Sequence, residues 1–195
     1  VFALTTNHTY FYREAHHFEH FAATVRPTLL SRLEANIPVR IWSAGCSSGE
    51  ETWSLVMTLL GEDRVAGRHI AQRDGRVLAS DIAPHALIKA RAARYDDDGL
   101  RKVPEGLRRA WTHEVDGQVE IAAEARSVVR FRSLNLLGDW PMAAQFDVIF
   151  CRNVMIYFDT PTKERLIARF AARLAPGGHL YIGHSERVTG PATGL

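Results

Sequence analysis

Three short stretches of this chain combine residue types that apolar packing does not by itself require. The first is Ser43-Ala44-Gly45-Cys46-Ser47-Ser48-Gly49-Glu50-Glu51. Its small residues let backbone approach a ligand closely, and the N–H groups at the start of a following helix can hold a carboxylate. The spacing is not GxGxxG, and no lysine follows the last glycine, so pyrophosphate binding and an NAD-dependent oxidoreductase are disfavoured. The second stretch is Val77-Leu78-Ala79-Ser80-Asp81. It places an acid about thirty residues after the glycines, where a Rossmann-like site bonds ribose hydroxyls, so an adenosine ligand is expected. Tight strand-to-helix turns need glycine whatever they bind, so the two features discriminate better together than apart. The third is Phe150-Cys151-Arg152-Asn153-Val154-Met155-Ile156-Tyr157-Phe158, an apolar strand running straight into Arg, Asn and Tyr. Met155, Ile156 and Phe158 read as ordinary packing; the polar residues are candidates for a site.

Other groups carry weaker signals. Thr5-Thr6-Asn7-His8-Thr9-Tyr10-Phe11-Tyr12-Arg13-Glu14 mixes capping residues with three aromatics and an arginine, which a capped helix start would also explain. His16 and His20 share a helix face and His17 lies beside them, but no HExxH-type pattern accompanies them, and no metal is expected. Cys46 and Cys151 are too few for a disulfide framework and lack CxxC spacing. Two buried apolar thiols are the simpler reading, although the strands they follow are expected to be neighbours.

The elements that must position these residues alternate. Ala15 to Leu33 has apolar residues at helical spacing with Pro27 as a break or kink. Val39 to Ala44 is a strand, Glu50 to Leu60 a helix, Val77 to Asp81 a strand, and Pro84 to Arg94 a helix with proline in its first turn. Val128 to Arg132 and Phe146 to Cys151 are further strands. Pro161 to Leu174 is a helix closed by Pro176-Gly177-Gly178, and His179 to Gly183 a fifth strand. Strands separated by helices predict a parallel sheet, an α/β fold of Rossmann-like type. Glu105 to Arg126 breaks the rhythm: alternating Val119 and Ile121 with an Asp116-Gly117 turn signal predict a small antiparallel β insertion, a common place for partners to bind.

Bulk properties exclude more than they identify. The 195 residues are 46% hydrophobic, enough for one ordinary core. A net charge of +2 offers no strong field for nucleic acid or a membrane surface. No apolar run approaches the roughly 20 residues of a membrane span, so a cytoplasmic protein without membrane insertion is expected.

The segments Asn7 to Glu14, Trp42 to Glu51, Ala79-Ser80-Asp81-Ile82, Asn135-Leu136-Leu137, Phe146 to Phe158 and Gly183-His184-Ser185-Glu186 resemble, in order, the CheR family of chemoreceptor glutamate methyltransferases. The resemblance spans nearly the whole chain, and its Cys-Arg-Asn-Val-Met-Ile-Tyr-Phe string is highly specific. It implies a class I methyltransferase sheet over 1–195 with a β-subdomain at about 105–126, without the family's N-terminal helical domain or the strands expected after Val188. It also implies S-adenosylmethionine (SAM) as cofactor, with S-adenosylhomocysteine as product. Asn7, Thr9, Arg13, Ala44, Gly45, Glu50, Asp81, Asn135, Leu136, Arg152 and Asn153 would line the cofactor pocket. Ser48, Thr52, Trp53 and Tyr12 are mild departures from the family pattern.

The implied acceptor is a glutamate on the cytoplasmic domain of a chemoreceptor. The β insertion resembles a subdomain that in some members docks a receptor tail peptide. A carboxylate acceptor is already ionised near neutral pH and needs no general base, which reduces catalysis to positioning. Tyr157 and Arg13 are the candidates for steering it. Two alternatives keep the cofactor: a methyltransferase with another acceptor, and a cofactor-binding signalling module without turnover.

Overall fold

The computed structural model describes residues 8–188. A five-stranded parallel sheet runs in the order β6-β2-β1-β7-β8, with β1 Val39–Ala44, β2 Gly75–Asp81, β6 Val129–Ser133, β7 Phe146–Cys151 and β8 Leu174–Ile182. The chain leaves β1 in one direction through β2 to β6 and returns on the other side through β7. The turning point, where ligands sit in folds of this kind, therefore lies between β1 and β7.

Side-chain alternation along the central strands feeds two cores. Ile41, Val148 and Phe150 point into one with Phe18, Leu29, Trp53 and Leu55; Trp42, Ile149 and Cys151 point into the other with Leu166 and Phe170. The first core lies under α1 Ala15–His20, α2 Arg26–Glu34, α3 Glu50–Leu60, α4 Arg64–Gln72 and α5 Pro84–Ala92. The second lies under α8 Thr160–Arg173, whose first turn is capped by Asp159 on Thr162 N–H. Every residue of α3, the helix after the glycine turn, is buried.

Several expectations needed correction. The break or kink expected at Pro27 is a local irregularity just before it, and the helical run continues. A π-helical turn, Phe21–Val25, separates α1 from α2, and Pro27 stands in the first turn of α2, where its missing N–H costs little. Helix α4 was not anticipated, because its sequence is polar and contains Gly67. Asp63 caps it through Val65 and Ala66 N–H, and a Cβ on Gly67 would collide with Trp111. The Pro176-Gly177-Gly178 segment lies inside β8 rather than between helix and strand. The pairing with β7 jumps from Phe146–Leu174 to Val148–His179, so the irregular segment is accommodated as a bulge.

The stretch expected as a β insertion is half helical. Helix α6 Glu105–Trp111 buries Leu107, Ala110 and Trp111 at helical spacing, and α7 Ala123–Ser127 closes the segment. Between them β4 Thr112–Val115 and β5 Gln118–Ile121 form a hairpin whose turn residues Asp116 and Gly117 both have positive φ, as a two-residue turn requires. Strand β3, Arg94–Tyr95, joins from outside, giving the small antiparallel sheet β3-β5-β4. Among the described residues no helix is long and apolar enough to cross a membrane.

Candidate cofactor and acceptor site

Strand register brings the distinctive residues together. Ser43 pairs with both Ala79 and Phe150, so the carboxyl ends of β2, β1 and β7 lie side by side. Gly45, Ser47 and Gly49 all have positive φ, and this left-handed series turns the chain from β1 into α3. Gly45 is needed for space as well: a Cβ there would lie 2.5 Å from Val154 Cγ2, in the loop after β7. The turn is anchored on its other side, since Gly45 and Cys46 N–H both donate to Ser80 O at 2.8 Å.

Asp81 stands beside this turn. One carboxylate oxygen accepts from Ser47 N–H at 2.7 Å and the other from Ala83 N–H at 2.9 Å. Leu134 N–H donates to Asp81 O, which sets the Asn135–Leu136 segment next to it. Asn135 is exposed, and its side-chain oxygen accepts from Leu137 N–H at 3.0 Å. Leu136 is buried; its carbonyl accepts from Trp140 Nε1 and Arg169, whose guanidinium also stacks 4.0 Å over the Trp140 ring.

The first turn of α3 holds two buried acids. Glu50 accepts from Ser48 Oγ at 2.6 Å, with Lys89 Nζ at 3.9 Å. Glu51 accepts from Ser43 Oγ at 3.0 Å and from Arg152 Nε at 2.9 Å. Acids suit a helix N-terminus. Their presence makes this end of α3 a place for a cation rather than for the carboxylate its N–H groups alone would favour. Arg152, 5% exposed, also donates to Arg13 O at 2.7 Å and His17 Nδ1 at 2.9 Å, and lies 4.9 Å over the Phe18 ring. It therefore braces the N-terminal segment against β7 and α3, with its guanidinium engaged by protein groups.

The remaining predicted residues are less tightly tied together. Arg13 turns its guanidinium back to His8 O at 2.7 Å, and Thr9 is half-buried. Asn153 is half-buried with φ 60°, and Tyr157 is exposed in the short helical turn Met155–Tyr157. Ala44 is wholly buried at the end of β1. Asn7 lies outside the described residues.

Sequence reading missed Glu51 as the partner of Arg152, since nothing in a Glu-Glu pair tells which acid turns inward. It also gave no contact to the last turn of the described chain, Gly183-His184-Ser185-Glu186. Glu14 Oε1 accepts from His184 N–H at 2.7 Å and lies 3.1 Å from its Nδ1, closing the N-terminal segment over that turn.

Two other groupings lie close to this site. Glu14, His16 and His17 bring possible ligand atoms within 4.8 Å of one another. However, His17 Nδ1 faces the donor-only guanidinium of Arg152, which leaves the ring proton on Nε2, and burial together with Arg152 pushes its pKa down to about 4. Cys46 and Cys151 are buried free thiols, both pushed up first by burial and then by neighbouring carboxylates, so they stay protonated.

Comparison with known proteins finds relatives over most of the chain. A probable chemotaxis protein methyltransferase of Rhizobium etli is 46% identical over 97% of this chain and 70% of its own length. Chemotaxis protein methyltransferase 2 of Pseudomonas aeruginosa is 41% identical over 95% of this chain and 65% of its own. The chain thus spans about two thirds of the length of these relatives. Among solved structures, a glycopeptide N-methyltransferase aligns over 83% of this chain and 52% of its own, with 12% identity and a TM-score of 0.46. The family model described as CheR methyltransferase, SAM binding domain, matches residues 7–194, and the chain belongs to that family.

Proposed function

We propose that this domain forms methyl esters on glutamate side chains of a chemotaxis receptor's cytoplasmic region. The observation that carries the reading is the meeting, at the β1/β7 turning point, of a glycine turn, Asp81 and the Arg152–Tyr157 loop. The groups present suit SAM: Asp81 accepts from a vicinal diol, Glu50 from an ammonium group, and Leu136 offers an apolar edge for the base. When bound, the cofactor supplies an electrophilic methyl group on a sulfonium, which an ionised carboxylate can take without losing a proton.

The chain's own residues then have three tasks. Asp81, Glu50 and the glycine turn bind and orient. Arg152 and Glu51 keep the pocket wall closed, which excludes water that would solvate the reacting charges. Arg13 and Tyr157 steer the acceptor carboxylate in this reading; an arginine held tightly on the attacking oxygen would damp it, so Arg13 orients rather than activates. Thr9, Asn135 and Asn153 complete the pocket in this reading. The protein works in the cytoplasm, where that part of the receptor lies.

The small sheet supplies a second contact. Strand β4 is an edge, with a cleft of about 400 Å³ beside it lined by Asp97, Arg108, Arg109 and His113. A receptor tail peptide adding as a strand there would tether the enzyme near its glutamates. Calorimetric titration with S-adenosylhomocysteine, followed by transfer of labelled methyl groups to receptor fragments, tests the reading. One-site binding at micromolar affinity and base-labile label on glutamates are expected. Cofactor binding with label on another acceptor, or on none, would reject the receptor assignment.

A further inference from the structure

The turn Gly183-His184-Ser185-Glu186 follows β8 and takes no direct part in the transfer proposed above. Its acid nevertheless reaches back into the site. Glu186 is 8% exposed, and no cationic side chain pairs with it among the described residues. Its charge is met by backbone alone: Oε1 accepts from Met155 N–H at 2.8 Å, and Oε2 from Gly183 N–H at 2.6 Å and Asn153 N–H at 3.1 Å. Two of these three donors belong to the loop between β7 and α8, which carries Asn153 and Tyr157.

That loop has little local reason to keep its shape. Asn153 sits at φ 60°, which asparagine tolerates but which belongs to no helix or strand, and only the short turn Met155–Tyr157 follows it. The contact with the 183–186 turn is also close. A Cβ on Gly183 would lie 2.7 Å from Asn153 Nδ2 and 3.0 Å from Glu186 Oε2, so the glycine is what lets the two backbones meet. On its other side the same turn is held by Glu14, next to Arg13. A buried carboxylate without a cation costs free energy, which here is offset by its three backbone hydrogen bonds, so the acid and the backbone groups it accepts from depend on one another.

We propose that Glu186 is a positioning residue: its carboxylate, bound by three backbone N–H groups, sets the loop that presents Asn153 to the cofactor and Tyr157 to the acceptor. This rests on the reading of Asn153 and Tyr157 as site residues. A glutamine in its place keeps the volume but turns one acceptor oxygen into a donor facing backbone N–H, so a packing role would tolerate it and a positioning role would not.

The test compares wild type, Glu186→Gln and Asp147→Asn, each corrected for its folded fraction. Asp147 is a second buried carboxylate on β7, but at the opposite end, where it accepts from Arg40 N–H and pairs with Arg32. Positioning predicts that Glu186→Gln weakens S-adenosylhomocysteine binding and lowers kcat by about tenfold or more, the scale of one lost charge-assisted hydrogen bond, while Asp147→Asn leaves both unchanged per folded molecule. If Glu186→Gln matches wild type in affinity and kcat per folded molecule, or if both variants fall equally, the inference is wrong. A wild type that binds S-adenosylhomocysteine but methylates no receptor fragment rejects the receptor assignment instead, and the affinity comparison still decides the role of Glu186.

Discussion

Replacing Glu51 by glutamine should show how much of the domain's stability rests on one internal ion pair. The Arg152 side chain is 2% exposed and that of Glu51 10%, with Nε and Oε2 2.9 Å apart. Removing one partner of such a pair leaves the other charge buried without compensation, which costs about 3–5 kcal/mol. The glutamine keeps the shape and one acceptor oxygen, which Ser43 and Arg152 must then share, so the lower end, about 3 kcal/mol, applies. For a domain of this size that corresponds to a fall in Tm of roughly 6–12 °C. Urea denaturation followed by tryptophan fluorescence measures it directly, because Trp42 and Trp53 are buried in the two cores. Combining Glu51→Gln with Arg152→Met should cost less than the sum of the single changes, since the stranded charge is removed. A loss below about 0.5 kcal/mol with an unchanged m-value, the scale of an ordinary surface substitution, would refute the view that this pair holds the N-terminal segment against the sheet.

Three further outcomes are expected. Asp81→Ala should weaken S-adenosylhomocysteine binding by about 1–3 kcal/mol, read by calorimetry, and an unchanged affinity would remove Asp81 from the site. Gly45→Ala should destabilise the fold by about 1–3 kcal/mol, because φ is 75° and the new Cβ meets Val154; adding Val154→Ala should recover only the steric part, as chemical denaturation of both variants would reveal. His17, lowered to about 4 by burial first and by Arg152 next, binds its proton less readily folded than unfolded. The unfolded chain therefore holds more protons between about pH 6.5 and 4, and stability must fall as pH falls through that window. Glu14, lowered below its ordinary value by His184 N–H and Arg152 against the opposing effect of burial, adds a loss in the same direction at still lower pH. Urea midpoints for wild type and His17→Gln between pH 7 and pH 5 should diverge, with the variant flatter; parallel curves would contradict the assignment.

Much of this protein is legible in its sequence alone. Alternation of short β-branched runs with helical spacing already implied a parallel sheet, because each strand and helix buries one face whose period is local. Asp116-Gly117 announced its hairpin for the same reason: a two-residue turn needs positive φ, and those residue types tolerate it. Gly45 and Asp81 were recognisable because a strand end followed by a turn puts its side chains at the rim of the sheet wherever the strand lies. What remained hidden depended on residues far apart in the chain. Gly67 stands inside a helix because Trp111, 44 positions on, fills the space a side chain would need. Pro176-Gly177-Gly178 looked like a loop until pairing with β7 absorbed it as a bulge. Glu50 and Glu51 are adjacent and chemically identical, yet one faces Ser48 and the other Arg152, 101 positions away. Glu186 stood in a recognised motif without a role, because its three partners are backbone N–H groups, and a backbone donor leaves no mark in the order of side chains. Local periodicity and turn chemistry are written in sequence; which buried charge meets which partner is decided only when tertiary packing removes water from around it.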